Sequence, residues 1–520
     1  MRLAWLGPAA LVLCACAGGQ TTNPDDDGGT TPDSGTPADA RADAPAADAP
    51  FDAPARCSNA VRDGAESDVD CGGGACPKCA DGKACVAASD CAAGACSAGK
   101  CGARMWTEES SGANVAIPGN QTWVPANLTL TPTLYAASLV SLRWTGTLRF
   151  GSGGNGLCHV GQRFVIDGTP TGNATWGDAI MVMRGSSRWH ESFTDEIAVP
   201  LMPGTHTISV EMTNANGYAT CNLDGDGGAG YDHSRLAAAA LDPQAAWYAE
   251  SNGETGSLAA NGPWTNVPGA FAAFTLASKQ HVQMALTGTQ LAQGAGSAHC
   301  AYRFVVDGQG LGDANHGQAI SVGDVPGGWW APVALKYGQD LMPGAHAVQA
   351  QVRNSSPAGG TCNAGQGNNA YARFRMLVTA RDPGGSNVSA ESSGGAYVLG
   401  SNSQWTAVGG LQTTFALAAD THVQLEMAAT ERTISGSGHC AWRFVVDNTP
   451  LGDPNHGQAI NVGDGATTWW TATPLLWGQT FTAGMHTVGV EVRNSSTSGD
   501  CGTNGDGAAY GRARLLVRGP

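Results

Sequence analysis

The feature that most constrains this chain is an internal repeat that recurs three times. The anchors are Trp123, Trp264 and Trp405, which are evenly spaced, and His206, His346 and His486, which are evenly spaced as well. The repeating unit is long enough to form one domain of ordinary size, about 100–150 residues. The sequence therefore predicts three copies of one domain, at residues 103–241, 242–381 and 382–520.

Each copy carries two cysteines at matching positions. The pairs are Cys158 and Cys221, Cys300 and Cys362, and Cys440 and Cys501, with nearly the same separation in every copy. The simplest interpretation is one disulfide per copy, which joins the same two points three times. Closing so long a loop stabilises a domain by about 3–5 kcal/mol in the chain-entropy model.

The copies are predicted to be all-β. Residues 205–212 alternate between apolar and polar side chains, which is typical of a strand with one buried face. Short strands between glycine-containing turns, without long helical periodicity, favour a two-sheet sandwich. The expected architecture is three tandem β-sandwich, jelly-roll-like domains after a small disulfide-rich module and a disordered linker. The repeated histidines lie on the apolar side of their strands, so a hydrogen-bonded structural role is favoured over metal binding.

The N-terminal segment has the composition of an export signal followed by a linker. Residues 1–16 read as a lipoprotein signal peptide, with Leu13-Cys14-Ala15-Cys16 as a lipobox and Cys16 as the lipidated residue. The alternative is ordinary secretion with cleavage nearby. Residues 17–55 are rich in Ala, Pro, Asp, Thr and Gly, so an extended acidic linker is expected there.

A cysteine-dense module is predicted at residues 56–102. Its cysteines are Cys57, Cys71, Cys76, Cys79, Cys85, Cys91, Cys96 and Cys101. So few large apolar residues accompany them that four disulfides must replace a normal core, with 105 possible connectivities. Cys76 and Cys79 also have the spacing of a zinc or redox motif, but an exported chain without a βαβ unit favours disulfides.

Two further patterns bear on cofactors and enzyme activity. Alternating carboxylates before Cys71, namely Asp63, Glu66, Asp68 and Asp70, are candidate ligands of a structural Ca²⁺, although the bidentate glutamate of an EF-hand loop is lacking. We expect no required cofactor. No catalytic motif is found, so an enzyme is not predicted, and a hydrolase with an unrecognised carboxylate pair stays as an alternative.

Charge argues against nucleic acid as a partner. The chain has 27 basic and 43 acidic residues, a formal net charge of −16, and no basic patch that would follow a phosphate backbone.

The candidate ligand-binding residues belong to copies two and three. The loop Gly312–Ile320 matches Gly452–Ile460 and supplies polar groups that bind sugar hydroxyls, and paired tryptophans supply stacking surfaces. The candidates are Asp313, Asn315, His316, Gln318, Trp329 and Trp330, with Asp453, Asn455, His456, Gln458, Trp469 and Trp470. Copy one has Asn173, Trp176 and Asp178 in place of three of the loop residues. The structural alternatives are a turn held by its own side chains and tryptophans covered by neighbouring segments.

Two resemblances follow from these patterns. The β-repeats loosely resemble jelly-roll modules of the carbohydrate-binding or C1q/TNF-like kind. The order of lipobox, acidic tether, cysteine-rich module and sandwich repeats is similar to surface lipoproteins of Gram-negative bacteria. This similarity implies export and lipid anchoring at the outer membrane or cell surface, with the periplasmic side as an alternative. The expected function is recognition of a glycan or a surface protein; the alternative is a structural envelope or spacer protein without a specific ligand.

Overall fold

The computed structural model describes residues 57–151, 157–184, 190–215, 219–224, 233–293, 298–323, 329–357, 359–365, 369–383, 385–393, 397–462, 469–503 and 509–520. The described residues form one compact unit. The predicted signal peptide with Cys16 and the predicted linker lie outside the described residues.

The cysteine-rich module has a core made of its own disulfides. Cys71, Cys79, Cys85, Cys91 and Cys101 are buried against one another. The four bonds join Cys57 to Cys76, Cys71 to Cys79, Cys85 to Cys96, and Cys91 to Cys101. Regular structure is limited to a 3₁₀ helix, Ala88–Asp90, and the strands β1 (Cys96–Ser97) and β2 (Lys100–Cys101). The prediction of four disulfides is confirmed, and the connectivity that the sequence left open is now seen.

The rest of the described chain consists of strands with short connections, which we group as repeat 1, repeat 2 and repeat 3. Repeat 1 contains β3 (Met105–Glu109), β4 (Val115–Ile117), β5 (Val124–Leu130), β6 (Thr133–Leu134), β7 (Ser138–Phe150), β8 (Leu157–Ile166), β9 (Thr169–Pro170), β10 (Ala179–Arg184), β11 (His190–Leu201), β12 (Gly204–Thr205), β13 (Ile208–Asn214), β14 (Cys221–Leu223) and β15 (Arg235–Leu241). Repeat 2 contains β16 (Ala246–Glu250), β17 (Thr265–Leu276), β18 (Gln280–Gln293), β19 (Ala298–Val306), β20 (Gln309–Gly310), β21 (Ala319–Gly323), β22 (Trp329–Leu341), β23 (Gly344–Asn354), β24 (Thr361–Ala364), a 3₁₀ helix (Ala370–Ala372) and β25 (Arg375–Arg381). Repeat 3 contains β26 (Val388–Glu391), β27 (Tyr397–Leu399), β28 (Thr406–Leu417), β29 (Thr421–Ser435), β30 (His439–Val446), β31 (Thr449–Pro450), β32 (Ala459–Val462), β33 (Trp469–Phe481), β34 (Gly484–Asn494), β35 (Asp500–Thr503), a 3₁₀ helix (Ala509–Gly511) and β36 (Arg514–Arg518).

Every repeat is a sandwich of two antiparallel sheets, as the alternating strands predicted. In repeat 2, one sheet has the order β16-β25-β18-β22 and the other β17-β23-β19-β20, and repeats 1 and 3 have corresponding pairs. We call the sheets built on β7, β18 and β29 the inner sheets and their partners the outer sheets. The all-β sandwich class is therefore confirmed.

Each sandwich is crosslinked by the disulfide that the cysteine spacing predicted. The bonds are Cys158–Cys221, Cys300–Cys362 and Cys440–Cys501. In repeat 2, for example, the bond joins β19 of the outer sheet to β24 of the inner sheet. Both cysteines are completely buried within the core of their repeat.

The repeats pack against one another in a cyclic order. Strand β10 of repeat 1 contacts β22 of repeat 2, β21 of repeat 2 contacts β33 of repeat 3, and β32 of repeat 3 contacts β11 of repeat 1. Three equivalent arginines mark these seams, because each donates to a backbone oxygen of a neighbouring repeat. The bonds run from Arg375 to Asp178 at 2.9 Å, from Arg514 to Gln318 at 2.6 Å, and from Arg235 to Gln458 at 3.3 Å. The three copies are thus related by an approximate threefold rotation.

A buried ion cluster lies where the three inner sheets meet. The Lys336 ammonium of repeat 2 is 3.0 Å from Glu196 of repeat 1 and 2.7 Å from Glu426 of repeat 3. Arg143 and Arg518 contribute further positive charge beside these glutamates, and all five side chains are at most 4% exposed. Burial lowers the pKa of Lys336 to about 8. The cluster therefore joins side chains from all three repeats.

Candidate binding site

The predicted binding loop of repeat 2 is a turn stabilised by its own aspartate. The Asp313 carboxylate accepts hydrogen bonds from the backbone N–H groups of Asn315 at 2.8 Å and His316 at 2.7 Å. The Asp313 and Gly317 backbones also bond each other in both directions. Asp453 forms the same turn with Asn455 and His456 in repeat 3. Such side-chain-to-backbone bonds explain the motif without a ligand.

The glutamines of the motif point into the sandwich. The side-chain oxygens of Gln318 and Gln458 accept from the backbone N–H groups of Phe304 and Phe444, each at 2.8 Å. Both glutamines are only 1% exposed. Asp178 holds this position in repeat 1 and accepts from the Phe164 N–H at 3.3 Å. The structure thus separates these glutamines from the exposed part of their loop.

The tryptophan at the start of each repeat holds this loop in place. In repeat 2 the Trp264 indole N–H donates to the Ala314 carbonyl at 2.8 Å, and the Arg303 guanidinium lies 4.2 Å from the ring centre. Repeats 1 and 3 repeat both contacts through Trp123 and Trp405. The even spacing located these tryptophans, but nothing local in the sequence showed what they touch.

The loop also forms part of the seam between repeats. The His316 ring lies 4.6 Å from the ring of Tyr510, which belongs to repeat 3. Trp176, the counterpart of His316, lies 6.0 Å from Tyr371 of repeat 2. Asn315 accepts from Arg353 within repeat 2 at 3.3 Å. In repeat 2, the side chains of Asp313, Asn315 and His316 therefore have partners within the protein.

The paired tryptophans are only partly described. Trp330 is half-buried, packs against the core of repeat 2 and makes an edge contact with Tyr371 at 5.7 Å. The backbones of Trp329, Trp469 and Trp470 lie in β22 and β33, but their side chains are outside the described part of the structure. Their predicted stacking role stays a prediction.

Each of the three repeated histidines has two hydrogen-bond partners, as the structural interpretation predicted, although His206 lies between β12 and β13 and not within the predicted strand. His346 Nδ1 lies 2.7 Å from the Asp307 carboxylate, and Nε2 lies 2.7 Å from the Met342 carbonyl. His206 makes the same two contacts with Asp167 and Met202, and the ring of His486 is held in the same way. Although burial opposes it, hydrogen bonding to Asp307 raises the pKa of His346. These hydrogen bonds account for the histidines without a metal.

The candidate calcium ligands hold turns in the cysteine-rich module. Asp70 accepts from the backbone N–H groups of Asn59 and Ala60, and Glu66 accepts from those of Asp63 and Asp70. Asp68 accepts from the Ala84 N–H, and this bond lowers its pKa. These carboxylates already accept hydrogen bonds from the backbone. Calcium binding by them stays a prediction.

Another concave site lies between the cysteine-rich module, repeat 1 and repeat 3. This cleft encloses about 470 Å³, within the range of small-molecule sites. Its walls combine one half-buried indole with hydroxyl, carboxyl, guanidinium and imidazole groups. They are Trp106, Thr107, Thr129, Thr131, Thr480, Glu108, Asp420, Arg104 and His422, next to Ala92, Ala93, Ala103, Met105, Leu130 and Pro520.

The polar groups of the cleft are partly fixed. Thr107 Oγ1 lies 3.1 Å from His422 Nε2, and Arg104 donates to the Ala240 carbonyl at 3.2 Å. Burial lowers the pKa of His422, which favours the neutral imidazole. The exposed Glu108 and Asp420 supply carboxylate acceptors. These residues are distant in sequence, so no local motif indicated the cleft.

No family model matches the chain, and no curated protein matches its sequence. Among solved structures, the chain is similar to the tandem CBM22-1-CBM22-2 domain of Paenibacillus barcinonensis Xyn10C, at 9% identity and a TM-score of 0.12, covering 51% of this chain and 94% of that one. It is also similar to a triple jelly roll protein of an archaeal virus, at 10% identity and a TM-score of 0.17, covering 76% and 82%. At TM-scores this low, the similarity says nothing about ligands.

The disulfides indicate where the protein resides. The described residues contain seven, which is typical of a protein exported to an oxidising compartment. Among the same residues, no helix has the length and apolar composition required to cross a bilayer.

Proposed function

We propose that this exported protein is anchored by a lipid at Cys16 and binds a glycan at the cell surface, in the cleft between the module, repeat 1 and repeat 3. The observation that carries the proposal is the cleft itself. Its volume suits a short saccharide, and its walls offer one indole face beside Thr hydroxyls and the carboxylates of Glu108 and Asp420. Those are the groups that contact a sugar ring and its hydroxyls.

Obstruction of the cleft tests this function. Thr131 is exposed on the cleft wall, so Thr131→Arg fills the space without removing a core contact. Met342→Arg is the matched control, because Met342 is 64% exposed and does not line the cleft. On a polysaccharide or glycan array, we expect retention by the wild type and Met342→Arg and loss with Thr131→Arg. Equal retention by all three would refute binding in the cleft.

The anchor has its own test in the native host. Cys16→Ser should shift the protein from the membrane fraction to the soluble fraction, whereas Cys14→Ser should leave it in the membrane. Release by Cys14→Ser alone would move the anchor to that residue, and no release by either would refute lipid anchoring at the proposed position.

A second candidate function is that of a rigid spacer without a specific ligand. It is favoured by the ion cluster around Lys336, which joins all three repeats within one buried centre. A spacer predicts no retention of the wild type on any glycan, together with defects in the envelope when the protein is removed from its host.

A further inference from the structure

A smaller pocket lies on the outer sheet of repeat 3. It encloses about 190 Å³ and is bordered by residues of β28, β30 and β34 and of the turn after β30. Gly489 lies within it, and Asn448, Gln412 and Glu491 are among its polar neighbours. Glu491 is fixed by an ion pair with Arg443 at 2.6 Å.

In repeat 2, a glutamine side chain takes the place that corresponds to this pocket. Gln349 of β23 pairs with Phe271 of β17, and Gly489 of β34 pairs with Gln412 of β28 at the matching point. The Gln349 amide nitrogen donates to the Ala350 carbonyl of its own strand at 3.0 Å, and also to the carbonyls of Ala270 at 2.8 Å and Val267 at 3.2 Å. The latter two carbonyls belong to an irregular segment of β17, just before the point where regular pairing resumes.

The acceptors are retained in repeat 3, while the donor is not. Val408 and Leu411 follow Trp405 at the same intervals at which the two acceptor residues of repeat 2 follow Trp264. Both lie within the corresponding register shift of β28, and both line the pocket. Gly489 has no side chain to reach them. The pocket thus lies where repeat 2 places the Gln349 carboxamide, beside the backbone of Val408 and Leu411.

Local geometry does not require the glycine. Gly489 does not have a positive φ, so its backbone conformation allows a side chain. A Cβ added there would have its nearest neighbours at 3.8–4.0 Å, which is ordinary contact. Glycine in the interior of a strand weakens it and often marks a point where a ligand approaches closely.

We infer that the pocket beside Gly489 binds a primary carboxamide, whose two polar hydrogens replace those of the Gln349 side chain. This inference goes beyond the proposed function, because the pocket and the cleft have no residue in common. The carboxamide is carried either by a free small molecule or by a glutamine or asparagine side chain of a peptide. The chemistry is the same in both cases: a neutral NH₂ donor beside two carbonyl acceptors.

The test uses the full chain and saturation-transfer difference NMR, which detects weak ligands. Propionamide is the probe, because it reproduces the glutamine side chain from Cβ outward, and propionate is the control without the NH₂ group. We expect a signal from propionamide alone. In Gly489→Gln this signal should fall by at least about fivefold, because the new amide occupies both acceptors.

An unfolding measurement and one further variant separate occupancy of the pocket from misfolding. Gly489→Gln should unfold at a higher urea concentration than the wild type, so its loss of signal is not due to unfolding. Gln349→Gly should open an equivalent pocket in repeat 2 and increase the signal. A propionamide signal that survives in Gly489→Gln, or an equal signal from propionate, would overturn the inference.

The source of the carboxamide is distinguished by a peptide arm. A tripeptide with a central glutamine and an N-methylamide cap is compared with its glutamate analogue. A stronger signal from the glutamine peptide than from propionamide identifies a peptide side chain, and the reverse identifies a small molecule. Thr131→Arg should leave the propionamide signal unchanged, so failure of the glycan cleft and failure of this pocket are distinguishable.

Discussion

Arg375 offers the sharpest test of how the repeats are joined. Its guanidinium is 2% exposed and lies 3.1 Å from Glu250 of its own repeat. It also lies 3.3 Å from the Asp195 carboxylate and 3.6 Å from that of Asp178, both in repeat 1. Arg375→Met would leave Asp195 and Asp178 beside an apolar side chain, while Glu250 keeps its ion pair with Arg373 at 3.2 Å. Loss of one partner from a buried ion pair costs about 3–5 kcal/mol of unfolding free energy, and we expect a loss of this size at pH 8.

Arg514→Met is the matched control, at the equivalent position of repeat 3. Arg514 bonds the Glu391 carboxylate at 2.8 Å, which Arg512 also contacts, and it donates to the Gln318 carbonyl. Since Gln318 stands where repeat 1 has Asp178, no second acidic side chain among the described residues loses its cation. The expected cost is that of a charge-assisted hydrogen bond, about 1.5–3 kcal/mol.

The pH dependence gives the decisive result. Burial raises the pKa of Asp178 and of Asp195, and removal of the Arg375 charge raises both further. A carboxyl group whose pKa is raised in the folded state stabilises the folded protein at low pH. That contribution to the free energy of unfolding is lost as the pH rises through the folded pKa. Urea unfolding of Arg375→Met should therefore show a smaller penalty at pH 5 than at pH 8. A penalty equal to that of Arg514→Met, or one that is independent of pH, would refute the reasoning.

Two other predictions concern buried groups. Burial, together with the Glu191 charge, raises the pKa of Glu431 to about 8. The neutral carboxyl group therefore stabilises the folded protein at low pH, and this contribution is lost as the pH rises from about 4.5 towards 8. Glu431→Gln should remove this pH dependence and stabilise the protein at pH 9 by a few kcal/mol, at about 1.4 kcal/mol per pKa unit. Urea unfolding at pH 4.5 and 9 measures the effect. An unchanged dependence of the unfolding free energy on pH would contradict the prediction. Replacing both Cys300 and Cys362 by alanine should cost about 4 kcal/mol, because the bond closes a loop with a sequence separation of 62. The equivalent double replacement in repeat 3 should cost the same within error, and a large inequality would show that the loop entropy does not set the effect.

The sequence predicted the outer sheets better than the inner ones. Strand β34 alternates along its length between buried and partly exposed residues, and the period-two pattern indicated it directly. The inner strand β7 is buried at nine consecutive positions, including Ser141, Arg143 and Thr145. In the sequence, a strand with such polar residues has the same pattern as a strand with one face exposed to solvent. Its polar side is buried because the other repeats cover it, which no pattern within one copy reveals.

The candidate site shows the same limit. The loop around Asp313 matches between copies because the same turn is built twice, and the match alone did not distinguish a turn from a binding site. The cleft, in contrast, combines Trp106, Thr131, Asp420 and His422, which meet only because the first and third repeats are neighbours. Contact between distant segments is set by the packing of the repeats, and that packing was not readable from the sequence.

A single chain with three unequal copies can do what a symmetric trimer cannot. At the axis of a homotrimer the three facing residues are identical, so a lysine there would face two lysines. Here Glu196 and Lys336 are equivalent positions of repeats 1 and 2, and they form an ion pair with each other. The same freedom allows Gln349 in one copy and Gly489 in another. Residues that agree between the copies therefore mark the shared framework, and the positions at which they differ are where a specific site can arise.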